Sequence, residues 1–345
     1  MSVKDIEEVL RQVEVGPSLQ FKNVTMFPLL AADLGIPDYL TLDEGLAQGQ
    51  VQITEISDAG SVPELRLVNR GQQPVCGFSD QELVGAKQNR ILNLTILAPA
   101  LSTIIIPVSC VEAGRWHRSS REFSSQGRVF YAEGRSRKAS QVTDSLRARG
   151  IRSSEQSAVW ANIAEKGRRM GSHSDTGAMA QMFDDYQGMI ESYVSAIKAV
   201  ENQVGAVFVI GGRIRSIELF DFAETLEKLL PKLVASHALD AIDEGDALDD
   251  QEDNASALLP EVKHFLATVA AAEGSVHPAV GEGEDIRLSG LKLAGGGLRA
   301  RGRIVHLCAF TLETDPRQVR PRSRYRKQRD QDHGFNPPSG GEQRE

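Results

Sequence analysis

The chain has 345 residues, a formal net charge of −8, 41% hydrophobic residues and 25% charged residues. These are the proportions of a soluble globular protein with one large or two ordinary domains, and no apolar run approaches the ~20 residues that span a bilayer. Cys76, Cys110 and Cys308 are isolated and without metal spacing, so a reduced cytoplasm is the expected compartment, and no metal or other cofactor is expected.

The net charge hides an asymmetry. Between Arg115 and Arg152 stand ten bases and three acids; from Asp240 to Asp253 stand eight acids and no base; beyond Asp315 the chain is basic again. A local basic stripe is what a polyanion would meet, whatever the overall charge.

In chain order, residues 1–17 begin charged and carry a short amphipathic helix, unlike a signal peptide. Residues 18–114 read as β-rich. Phe21–Leu30 suits a strand, Asp43–Gln48 a short helix, and Val51–Ile56 alternates with period two as a half-buried strand does. Leu65–Val68 and Val75–Phe78 are further short strands. Ile91–Leu97 and Thr103–Val108, separated by Ala98-Pro99-Ala100, are expected to pair as a buried hairpin.

That hairpin organises the polar residues around it. It would bring the block Glu82–Arg90 and Glu112 to one end of a sheet. Acids, amides and a guanidinium at strand ends cost a few kcal/mol each to bury unless paired, so Asp80, Glu82, Lys87, Gln88, Asn89, Arg90, Glu112, Arg115 and Trp116 form a candidate site.

Residues 115–152 break pattern. Arginines and serines interleave with Trp116, Phe123, Phe130 and Tyr131, which suggests a long, partly ordered arm. Residues 153–313 read as a helical half carrying two hairpins. Ser153-Ser154-Glu155-Gln156 opens one helix, Met179 to Val200 has helical spacing throughout, and Pro231 kinks or starts a third. The two hairpins turn at Gly211-Gly212 and Gly295–Gly297. Residues 314–345 are Arg-, Gln-, Pro- and Gly-rich and are expected to be disordered. The expected fold class is α+β, with a β-rich N-terminal half and a helical C-terminal half.

The run Glu82–Leu92 with Ile106–Trp116 resembles the signature of the ARPP family, proteins associated with ADP-ribosylglycohydrolases and rhodanese-phosphatases. Phe27–Leu30, Tyr39–Glu44, Val51–Glu55 and Phe208–Asp240 fit as well. One departure is Asp80-Gln81, where many relatives carry Gly-Glu. The resemblance implies chemistry at an N-glycosidic bond, either in NAD or ADP-ribose metabolism or in an anti-phage DNA glycosylase that excises glucosylated hydroxymethylcytosine.

Cleaving such a bond builds positive charge on the sugar, which a carboxylate can stabilise while it or a second group activates water. Glu82, Glu112 and Asp80 are the candidate carboxylates. Gln88 and Asn89 can read a base edge, Arg90 can bind sugar or phosphate, and Trp116 can stack on a flipped base. Lys87, Arg115, Arg118, Arg121, Arg128 and Arg135 are candidates for the DNA backbone. Lys87 could instead attack as an amine and form a Schiff base, but water is favoured.

Each group also has a structural alternative. Glu82 with Arg90, or Glu112 with Arg115, would serve as plain ion pairs. Gln88 and Asn89 would cap a turn, Trp116 would be core, and Cys110 a small buried filler. Three functions follow: a glycosylase of modified phage DNA, a hydrolase of NAD- or ADP-ribose-linked N-glycosides, or a non-enzymatic nucleic-acid-binding module. Oligomeric state is left open.

Overall fold

A computed structural model describes residues 4–32, 35–57, 60–117, 119–245 and 255–312. The basic tail, residues 246–253 of the acidic run, and Arg118 lie outside the described residues. Among the described residues are 8 helices and 18 strands in three sheets. No helix among them is long and apolar enough to cross a membrane.

The largest sheet grows around Gln203–Ile210, buried along its whole length. Ala206, Phe208 and Ile210 point to one face, against the helix Ala223–Glu244; Val207 and Val209 point to the other, toward the helices Lys4–Gln12 and Ala255–Ala270. A strand covered on both faces reads as a continuous apolar run, and this one does. It pairs with Val24–Leu30 on one side and Arg213–Phe220 on the other. The sheet continues through Arg303–Thr311, Leu293–Ala300, Glu284–Gly290 and Glu273–Pro278, and holds nine antiparallel strands in all.

The expected helical C-terminal half is therefore overturned: the fold is a β-rich α+β, and its C-terminal half is rich in strands. Six strands after residue 200 join strands from the first 30 residues in one sheet. Gly295–Gly297 are not a turn either. They lie inside Leu293–Ala300, where a Cβ at Gly295 or Gly297 would meet a carbonyl oxygen of the neighbouring strand at 2.5 Å. Pro231 lies within the unbroken 22-residue helix Ala223–Glu244.

A six-stranded sheet carries the central stretch, in the order Phe123–Val129, Gln81–Gly85, Arg90–Leu92, Ser102–Cys110, Glu64–Asn69, Val51–Glu55. The expected hairpin is split. Arg90–Leu92 pairs with Val108–Cys110, Ile96–Ala98 leaves to pair with Val75–Gly77 in a small third sheet, and residues 102–107 pair with Glu64–Asn69. The pairing at residues 108–110 still brings the turn before Arg90 beside Glu112.

Residues 115–117 and 119–152 are built into the fold. They contribute the strand Phe123–Val129 and the 18-residue helix Ala132–Arg149, which buries Arg135 and Lys138. Phe78, between the strands Val75–Gly77 and Gln81–Gly85, packs on the large sheet through Phe220 and His306, at ring distances of 5.3 and 5.5 Å.

Candidate active site

Strand alternation sorts the predicted residues onto two faces. Glu82 stands opposite Ile91 and Leu83 opposite Arg90, so Glu82 and Arg90 project from opposite sides of the sheet and do not pair.

On one side, Glu82 is completely buried, and neither carboxylate oxygen accepts a hydrogen bond of regular geometry. The Arg128 guanidinium, from the neighbouring strand, stands 3.7 Å away. Arg128 also binds Asp184, which closes the short helix Ala180–Asp185. Burial pushes the Glu82 carboxyl up to about 7; Arg128 and the Asn89 side chain pull against this, and the charges of Asp184 and Glu112 reinforce it. A carboxyl poised near neutrality can take up or give up a proton at working pH.

Glu112 is also buried but fully engaged. One oxygen accepts from the Asn89 backbone N–H at 3.1 Å and from Arg115 Nε at 2.9 Å, and the other accepts from the Thr176 hydroxyl at 2.7 Å. Burial opposes its charge, but these donors hold the carboxyl below the usual range. Arg115 extends the clamp to the Ala86 carbonyl, the Ser119 hydroxyl and the Asn89 side-chain oxygen. The pair thus fixes the turn at residues 86–89. Gly85 opens that turn at φ +134°, where a Cβ would meet Glu122 O and Ser120 Oγ at 2.6 Å.

Asp80 enters a different network. Its backbone is left-handed (φ 74°) and its side chain is buried. It pairs with Lys138 Nζ at 2.9 Å and Arg135 Nε at 3.3 Å, and accepts from the Ser79 hydroxyl at 2.7 Å. Burial works against its ionisation, yet the two cations keep the carboxyl below its ordinary range. Arg135 continues to Glu218 at 2.6 Å, and Glu218 to His306 at 3.1 Å.

On the far face, Arg90 is buried beside Glu55 at 3.9 Å and donates to Gln88 Oε1 at 3.1 Å. Trp116, 47% exposed, covers it, with its ring 5.8 Å from the Arg90 guanidinium and 5.2 Å from Lys87 Nζ. Gln88 is buried and reaches the Ala113 carbonyl.

The structure therefore gathers Glu82, Asn89, Glu112, Arg115 and Arg128. It sets Arg90, Gln88, Lys87 and Trp116 on the opposite side and holds Asp80 and Arg135 in the interior. Of the candidate backbone contacts, Arg121 is exposed, Arg128 and Lys87 are half-buried, and Arg115 and Arg135 are buried. Asp184 and Thr176 were not foreseen; they arrive from a region far along the chain, and nothing in their local sequence points to Glu82. Glu218, His306 and Cys308 were also missed as a group with metal-binding donors, although His306 and Cys308 stand two apart on a strand, a spacing that puts both on one face.

No curated protein and no solved structure matches the chain. The family described as ARG and Rhodanese-Phosphatase-superfamily-associated Protein domain matches residues 12–310. That span takes in nearly all of both large sheets and every residue of the candidate site, and the chain belongs to this ARPP family.

Proposed function

We propose that this protein hydrolyses an N-glycosidic bond, with Glu82 as the reacting carboxyl, and that its substrate is glucosylated hydroxymethylcytosine in phage DNA. The observation that carries this reading is Glu82 itself: buried, without a regular hydrogen bond, and raised to about 7. Native proteins rarely leave a buried carboxylate so poorly satisfied without a use for it.

In this scheme ionised Glu82 takes a proton from water as the oxygen attacks the anomeric carbon and faces the positive charge that grows there. The glycosidic bond breaks toward the base, whose nitrogen ends protonated. Water supplies hydroxide to the sugar and a proton to the base, and an abasic site remains. In this reading Asn89, held by Glu112 and Arg115, contacts the base or sugar. Arg128 and Asp184 lie over Glu82, and the substrate reaches it when that pair moves aside. A resemblance to the anti-phage DNA glycosylase Brig supports the choice of substrate, as does exposed Arg121.

A second reading, hydrolysis of an N-glycoside in NAD or ADP-ribose, is favoured by one observation. Arg115, Arg135 and Lys138 are buried, so residues 115–152 offer a polyanion fewer cations than their composition implies. One assay separates the readings. Glucosylated, hydroxymethylated and plain DNA are each incubated with the protein and then treated with alkali. Breaks confined to glucosylated DNA, lost in Glu82→Gln, support the first reading. No breaks, with turnover of an ADP-ribose N-glycoside, supports the second. DNA binding without turnover of either, unchanged in Glu82→Gln, defeats both.

A further inference from the structure

We propose that Glu218, His306 and Cys308 form a binding site for one divalent cation of zinc's class, apart from the Glu82 site. The three residues lie on adjacent antiparallel strands, Arg213–Phe220 and Arg303–Thr311. Glu218 stands directly opposite Cys308, and Phe220 opposite His306. Side chains two apart share a face, so the register alone delivers a carboxylate, an imidazole and a thiol to one place. Their donor atoms lie within 4.8 Å of one another, and all three residues are buried. Mixed nitrogen, sulfur and oxygen donors suit Zn²⁺, and three protein ligands leave a fourth position open.

The surroundings match what metal ligands need. A ligating histidine is usually oriented through its other nitrogen, and a ligating carboxylate through its other oxygen. His306 Nδ1 lies 2.7 Å from Thr95 Oγ1, and the ring is held by stacking on Phe220 at 4.8 Å. Glu218 Oε1 is 2.6 Å from Arg135 Nη2, which leaves Oε2 on the side of His306 Nε2. The Thr95 hydroxyl can serve two states. Without metal it donates to Nδ1 while Nε2–H donates to Glu218. With metal, Nδ1 carries the proton toward Thr95, and the Nε2 lone pair faces the ion.

Charge is the main opposition. Arg135 and Lys138 are neutralised by Asp80 and Glu218, and Arg287 by Asp285 through a 2.8 Å bond. A divalent ion that displaces the Cys308 thiol proton adds one positive charge to this set. The thiolate offsets one charge of the ion, Glu218 is shared between the ion and Arg135, and the displaced proton leaves to solvent. Such an ion would clamp two strands whose ligands are 88 residues apart in the chain.

The test uses the full chain. Metal content is measured on purified protein, and Co²⁺ is titrated into the metal-free form while the thiolate-to-cobalt absorption is followed. One ion per chain is expected, with an absorption band that is lost in Cys308→Ser and kept in Cys76→Ser and Cys110→Ser. No bound metal and no band, or a band that survives Cys308→Ser, overturns the site. If Cys308→Ser loses its native circular dichroism, the parent's metal content and cobalt spectrum decide, and His306→Gln is expected to weaken Co²⁺ binding at least tenfold. Unchanged affinity in a folded His306→Gln likewise overturns the proposal.

Discussion

Asp80 and Glu82 stand two residues apart and are almost equally buried, yet their environments differ. Asp80 faces Lys138 and Arg135 and accepts from Ser79, so its charge is repaid where it sits. Glu82 faces one guanidinium at 3.7 Å that is shared with Asp184, and it has no regular hydrogen bond. The first carboxyl is held below its usual range and the second lifted to about 7. Burial raises both; the number and closeness of the cations decide the sign. One is a structural charge, and the other keeps its reactivity at a cost in stability.

Glu82→Gln tests this contrast most severely. The side chain keeps its shape and loses its proton chemistry. Turnover of the N-glycoside substrate should fall by ~10²–10⁴-fold, while unfolding in denaturant at pH 8 should show a variant at least as stable as the parent. Full activity, or a large loss of stability, would place Glu82 with Asp80 as a structural charge.

Asp80→Asn is the counterpart. Asparagine tolerates the left-handed backbone at this position, so the change isolates the charge. Two buried cations would be left with Glu218 alone, and breaking a buried pair in this way costs about 3–5 kcal/mol. The midpoint of denaturation should fall accordingly. A variant of unchanged stability would show that the Asp80–Arg135–Lys138 network contributes little.

The same contrast explains what the sequence made legible. The stretch Phe78–Trp116 stands out because its polar residues are crowded between apolar strands, and the structure gathers Glu82, Asn89, Glu112 and Arg115 from it. The helix Ala132–Arg149 was hidden because its inward face includes Arg135 and Lys138, which destroy the apolar period of an ordinary amphipathic helix. Their partners, Asp80 and Glu218, lie 55 and 83 residues from Arg135, beyond any local pattern. The large sheet was hidden for a related reason: a continuous apolar run marks Gln203–Ile210 as a buried strand, but not that Val24–Leu30 will lie beside it.

The pH dependence of stability offers a third, smaller test. Glu82 is raised from 4.5 to about 7, so between those values the folded protein holds a proton that the unfolded chain has released. Its contribution is present below pH 4.5 and is lost as pH rises toward 7, by about 3 kcal/mol at most. Glu112 and Asp80 work in the opposite direction, since their carboxyls are lowered and their stabilisation is lost in acid. The parent should therefore lose stability relative to Glu82→Gln as pH rises from 5 to 7. Parallel curves for the two proteins would remove the raised carboxyl from the argument.

The smallest effect is expected at Trp116, on the face opposite Glu82. Its ring is 47% exposed and lies over Lys87 and Arg90 without filling a core. Exposed cation–π contacts are worth ~0.5–1 kcal/mol, so Trp116→Ala should lower stability by no more than about 1 kcal/mol. If the ring is a stacking platform for a nucleobase, the same change should weaken DNA binding by ~1–3 kcal/mol, read by titration at fixed salt. Stability and affinity would then separate at Trp116, as stability and turnover are expected to separate at Glu82. An affinity that does not change would confine the ring to covering Arg90 and leave substrate contact to the Glu82 face alone.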